Sequence, residues 1–135
     1  MKRINKLLNK LLGDNATIGV QDPVILDDLS EPEPDLSILE FREDFYHNAH
    51  PQPHEVVLTI EVADSSLNYD RNTKLPIYAK AGIPECWIVN LEDEQIEIHK
   101  KPMQGDYLFK ETLKRNETII WERFDLTIKA SKILG

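Results

Sequence analysis

Glu61, in the middle of the apolar run VVLTIEVADSS, is the residue whose type and place raise a chemical question, with Asp35 in EPEPDLSIL and Lys74 in NYDRNTKLP as candidate partners. The run 56–63 is short and rich in β-branched residues, the pattern of a strand buried on both faces. Alternation places Val56, Leu58, Ile60 and Val62 on one side, and Val57, Thr59, Glu61 and Ala63 on the other. An ionised carboxylate in that setting is costly unless something cationic meets it. The choices are an internal ion pair, a strand end that reaches water, or a bound metal. Asp35 opens a second strand-like segment. If the two strands are neighbours, both carboxylates reach one edge of the sheet, where a hard divalent ion is well served. Buried carboxylates also serve structural pairs, and spacing alone favours that plainer role. Lys74 is a candidate partner for Glu61. It also follows Asp70 by four residues, and sequence geometry alone favours that exposed helical pair, worth about 0.3–0.5 kcal/mol.

Other chemistry is weaker. His47, His50 and His54 share a Pro-containing loop, but structural zinc sites show four closely patterned ligands and this loop does not. Ser65 and Ser66 lack a G-x-S-x-G turn and read as a helix cap. The five glycines are isolated, so no phosphate-cradling loop is present. Trp87 and Trp121 read as core residues.

The elements that must position Asp35, Glu61 and Lys74 follow from periodicity. Ile4, Leu7, Leu8, Leu11 and Leu12 recur at helical spacing and Gly13 stops them, giving an amphipathic helix that needs a partner surface. ATIGVQ, DLSILE (35–40) and 55–63 read as strands, separated by Pro-rich loops. NYDRNTKLPIYAKAG (68–82) reads as a helix ending at Gly82, with Pro76 in conflict unless it lies in a first turn or marks a kink. ECWIVNL is a buried strand, EQIEIHK a half-exposed one, and DYLFKETL and TIIWERFDLTI add further strands. The order α-β-β-β-α-β plus a β-rich extension predicts one α/β (α+β) domain over residues 1–135, with a mixed central sheet.

Composition bounds the setting. The 135 residues suit one domain, and 41% hydrophobic with 30% charged residues fits a globular protein. No apolar stretch approaches a membrane span, the start MKRINKLLNKLLG is too charged for a secretory signal, and Cys86 is the one cysteine. A cytoplasmic location is expected. The net charge of −8 argues against coating nucleic acid through charge. Between Asp22 and Asp70, thirteen acids face one base, Arg42, so this segment is either a solvated face or a basin for divalent cations.

The order of the pieces resembles the Uma-two family of putative restriction endonucleases, within the PD-(D/E)XK nuclease superfamily. The residues that carry the resemblance are VQDPVILDDLSEPEPDLSIL (20–39), VVLTIEVADSSLNYDRNTKLPIYAKAGIPECWIVNLE (56–92) and the weaker RFDLTIKASKILG tail. The combination Pro34-Asp35, Glu61-Val62, Asp70…Lys74…Tyr78 and Gly82…Trp87-Ile88-Val89 is specific, whereas each piece alone is not.

The resemblance implies a restriction-endonuclease-like fold, with a mixed central sheet flanked by helices and a C-terminal β-rich extension. It implies that Asp35 and Glu61, with the main-chain carbonyl of Val62, hold Mg²⁺, for which Mn²⁺ can substitute. The superfamily lysine two positions after the second acid is replaced here by Ala63, and Lys74 on the following helix matches the migrated lysine. The implied catalytic set is Asp35, Glu61 and Lys74, and the implied reaction is phosphodiester hydrolysis of DNA, with a homodimer as one arrangement. The chain starts almost inside the first helix of the family pattern. A missing N-terminal segment is expected to leave a sheet edge and an apolar helix face uncovered. The alternative reading is a shortened, inactive relative that acts as a binding or interaction module.

Overall fold

The computed structural model describes residues 1–26, 32–47, 49–64 and 67–135, so the Ser65–Ser66 cap and part of the acidic Pro-rich loop (27–31) lie outside the described residues. Helix α1 (Lys2–Leu12) ends at Gly13, whose φ of +53° favours a residue without a Cβ. Strands β1 (Ala16–Val20), β2 (Leu36–Glu40) and β3 (Val56–Ala63) follow. A helical crossover comes next, made of α2 (Leu67–Tyr69), a π-helical turn (Asp70–Lys74) and α3 (Leu75–Lys80). It leads into β4 (Glu85–Asn90), β5 (Gln95–Met103) and β6 (Asp106–Lys114). A hairpin of β7 (Thr118–Trp121) and β8 (Leu126–Lys129) precedes the short helix α4 (Ala130–Leu134).

Among the described residues, β1 to β6 form one sheet in sequence order. Every neighbouring pair is antiparallel except β3–β4. A parallel pair cannot be closed by a tight turn, and the segment carrying Lys74 supplies the crossover. This is the expected α/β fold with a mixed central sheet.

The two faces of the sheet are covered differently. On one face, Leu58 and Ile60 of β3, Trp87 of β4 and Ile96 of β5 pack against Ile4, Leu8 and Leu12 of α1, and against α4 and the β7–β8 hairpin. The Trp87 and Trp121 rings meet edge to face with centroids 4.9 Å apart, which fastens the hairpin to the sheet. Arg3 donates to the carbonyls of Lys132 and Ile133, placing a cation at the C-terminal end of α4. Of the apolar face of α1, expected to lie uncovered, Ile4, Leu8 and Leu12 are buried, whereas Leu7 and Leu11 are half-buried. On the other face, Tyr78, Ala79 and Ile83 of the crossover pack on Leu39, Val56 and Cys86.

Two expectations change. In the β2–β3 ladder Ile38 pairs with Leu58 but Leu39 pairs with Val56, so Val57 is the extra residue of a bulge. Val57 joins Leu58 in the α1-side core and Val56 turns to the opposite face. The predicted alternation thus holds from Leu58 onward and is inverted before it. The strand EQIEIHK is not half-exposed, because Ile96, Glu97, Ile98 and His99 are all buried. Arg71 from the π-helical turn caps Glu97, and Tyr107 from β6 stands beside the His99 ring.

Leu8 is fully buried on α1, whereas Lys6 is exposed on the same helix. Leu8→Ala is expected to lower unfolding free energy by about 3 kcal/mol, and Lys6→Ala by less than about 0.5 kcal/mol, read by urea denaturation.

Candidate active site

The β2–β3 ladder ends at the pair Leu36–Ile60, so the next residue outward, Asp35, falls opposite Glu61. Beyond that point β3 has no strand partner on the β2 side among the described residues, and the Asp35 carboxylate stands there instead. Val62 N–H donates to Asp35 Oδ2 at 2.8 Å. In an extended strand the N–H and C=O of one residue face the same neighbour. The Val62 carbonyl therefore also faces the Asp35 side, while the carbonyl of Ala63 faces β4 and accepts from Leu91 N–H at 3.0 Å. Pro34 is buried and holds the entry to this turn.

Glu61 is 1% exposed and is met by two donors. Lys74 Nζ lies 3.0 Å from Oε2, and the Tyr78 hydroxyl donates to Oε1 at 2.5 Å. Burial pushes the Glu61 carboxyl above the usual range and Asp35 adds to this, although the Tyr78 hydrogen bond and Lys74 pull the other way. For Lys74 burial opposes the charge, but the carboxylates of Glu61, Asp70 and Asp35 outweigh it and raise the ammonium pKa. Burial and the neighbouring Glu61 charge push the Tyr78 phenol up, so it acts as a donor.

Lys74 reaches Glu61 because its turn is not α-helical. Leu75 N–H bonds to the carbonyl of Asp70, five residues back. Pro76 has no N–H, and in α-register its ring would meet the carbonyl of residue 72. The π-helical turn places Pro76 in the first turn of α3, where it is tolerated. This resolves the conflict that Pro76 raises in the sequence. An exposed Asp70–Lys74 pair is not formed: Asp70 is 3% exposed, and the Lys74 ammonium points to Glu61.

The structure thus brings Asp35, Glu61, Val62 and Lys74 together at one end of β3. His47, His50 and His54 are exposed, and among the described residues no group of three or more His, Cys, Asp or Glu side chains has metal-binding geometry. The acidic middle of the chain contributes Asp35 and Glu61 to this place. Glu55 and Asp44 of the same segment instead pair with Arg42.

Two features escaped sequence reasoning. Tyr78 belongs to the motif that carries the family resemblance, and its position four residues after Lys74 puts both on one helical face. The second feature is a cluster on β5. Glu97, 1% exposed, accepts from Arg71 Nε at 2.8 Å and lies 3.1 Å from His99 Nε2, with Lys110 Nζ at 3.9 Å. Burial opposes the Glu97 charge, but the His99 and Arg71 hydrogen bonds outweigh it and hold the pKa near about 2. Only the alternating pattern of EQIEIHK hinted that Glu97 and His99 share a face.

A mixed sheet with two carboxylates and a lysine at one strand end is an arrangement suited to hydrolytic enzymes. Among solved structures, the chain is similar to the crystal structure of a putative nuclease belonging to DUF820 from Anabaena variabilis. The TM-score is 0.70 at 15% identity, over 98% of this chain and 79% of that one. No curated protein matches the sequence. The family model Uma2, described as putative restriction endonuclease, matches residues 2–129, and the chain belongs to that family.

The two buried glutamates are expected to respond oppositely to neutralisation. Glu97 has a depressed pKa, so its ionised form stabilises the fold fully above the ordinary value of about 4.3. That contribution is lost as pH falls toward about 2. Glu97→Gln should cost about 3 kcal/mol at neutral pH, a deficit that shrinks in acid when both proteins are unfolded by urea across pH. Glu61 has a raised pKa, so its ionised form is the costly one. Glu61→Gln should leave Tm at pH 8 equal to or above wild type, with any gain fading as pH falls toward the ordinary carboxyl value of about 4.3.

Proposed function

We propose that the protein is a metal-dependent DNA endonuclease that hydrolyses phosphodiester bonds with Asp35, Glu61 and Lys74. The observation that carries this reading is the Lys74 ammonium 3.0 Å from Glu61, at the strand end where Asp35 caps Val62. The family description and the description of the structural neighbour support the nuclease class.

The donor set fits a hard divalent cation, because the groups on offer are carboxylate oxygens of Asp35 and Glu61 and the Val62 carbonyl. Each Glu61 oxygen accepts one hydrogen bond and retains a second lone pair. Mg²⁺ is the proposed ion, with Mn²⁺ able to replace it on the same oxygen ligands. Bound there, the cation supplies a water of lowered pKa and offsets charge building on the phosphate. Val62 N–H orients Asp35, and Tyr78 fixes the Glu61 carboxylate from its buried side. Lys74 holds its proton, so it acts as a fixed charge beside the phosphoryl oxygens and as a donor that orients the attacking water. Lys110, whose ammonium lies 3.9 Å from Glu97, reaches the same sheet face and supplies a cation for neighbouring phosphates in a chain that is otherwise acidic. A homodimer would present one such site to each strand of a duplex.

Plasmid DNA incubated with the purified protein in Mg²⁺ or Mn²⁺ should be cleaved, and Glu61→Ala should abolish cleavage. Lys74→Met should lower kcat by about 100-fold. A folded wild-type protein that leaves both supercoiled and single-stranded DNA intact in either metal contradicts the reading and favours the inactive interaction module.

A further inference from the structure

We propose that Arg71 and Glu97 form a positioning pair that holds Lys74 on Glu61, a role that rests on the endonuclease reading above. Glu61 pairs with Ile88, and Ile88 pairs with Glu97, so the two glutamates stand in one row across β3, β4 and β5. Paired residues share a sheet face, and two strand spacings put the carboxylates roughly 10 Å apart. Both side chains are 1% exposed. Ile88 between them is fully buried, so no polar path links them along the sheet. The link runs above it, through the π-helical turn: Arg71 reaches Glu97 and Lys74 reaches Glu61.

The turn geometry makes the two contacts depend on each other. Residues 71 and 74 lie on one turn, and the extra residue of a π-helical turn widens the angle between them. Each side chain can then meet its own carboxylate. Such a turn is rare and occurs mostly as a single-turn bulge within α-helix, so anchoring contacts from outside it help to hold its register. Arg71 provides that anchor at the start of the turn through a planar fork, while the flexible Lys74 stem at its end carries large rotamer freedom. Glu97 is itself fixed by His99 at 3.1 Å and by its place in β5, so the anchor is rigid. Arg71 is 37% exposed and Lys74 19%, so a loosened turn opens to water.

The test is the reactivity of the Lys74 amine. Limiting N-acetoxysuccinimide acetylates lysines, and mass spectrometry reads Lys74 against exposed Lys80 in the same protein. In Arg71→Gln, Lys74 labelling relative to Lys80 should rise about tenfold, the loss expected for one charged hydrogen-bonded anchor. Arg71→Lys keeps the charge without the fork and should give an intermediate ratio. On DNA, Arg71→Gln should lower kcat with KM unchanged. A ratio unchanged from wild type in folded Arg71→Gln overturns the proposal, since a pair that only stabilises the fold does not gate Lys74. If Arg71→Gln does not fold, a wild-type ratio in Arg71→Lys overturns it in the same way. The predicted labelling with no cleavage by wild type supports the positioning role and overturns only the endonuclease reading.

Discussion

A carboxylate with almost no solvent contact, Glu61, sits in the most buried strand of the sheet, and the surrounding structure is organised by its need for compensation. An isolated ionised carboxylate in such a setting either neutralises or finds a cation and hydrogen bonds. Glu61 has both, from Lys74 and Tyr78. Even so, burial remains the largest influence on its pKa and keeps it raised. A site in this state gains from additional positive charge, and the neighbouring Asp35 deepens the same demand. A divalent cation held there, as proposed, would relieve two carboxylates at once.

The fold provides the setting through one topological feature. Among the described residues the sheet has a single parallel pair, β3–β4, and the crossover between these strands must lie over one face of the sheet. The opposite face is packed with aliphatic residues, α1 and the β7–β8 hairpin. The crossover face is mixed, with an apolar patch around Tyr78 and Ile83 beside the row that holds Glu61 and Glu97. Stability is concentrated on one side of the sheet and ionisable chemistry on the other. Asp35 reaches the site because β2 stops at Leu36, where its carboxylate replaces the ladder and caps Val62 N–H.

Much of this was legible in the sequence because it is local. The β-branched run 56–63, the helical spacing of Ile4, Leu8 and Leu12, and the strand ECWIVNL each declare their own structure, and Glu61 stands out against its apolar neighbours. What was not legible depends on partners distant in the chain. Asp70 and Glu61 compete as partners for Lys74, and only the tertiary arrangement decides between them. Pro76 signals an irregular helix, but the π-register also needs anchors on two different strands. Glu97 reads as an exposed strand residue because Arg71, which covers it, lies 26 residues away. The bulge at Val57 leaves the composition of the strand unchanged and so leaves no mark in its pattern.

The central claim is that Asp35 and Glu61 jointly hold a divalent ion, and its most direct measure is Mn²⁺ binding followed by the loss of the free-ion electron paramagnetic resonance signal. The account predicts saturable binding by the wild-type chain, strongly weakened in Asp35→Asn and in Glu61→Gln, and retained when His47, His50 and His54 are all replaced by Ala. Binding that survives both carboxylate substitutions, or a folded wild-type chain that takes up no Mn²⁺, would contradict it.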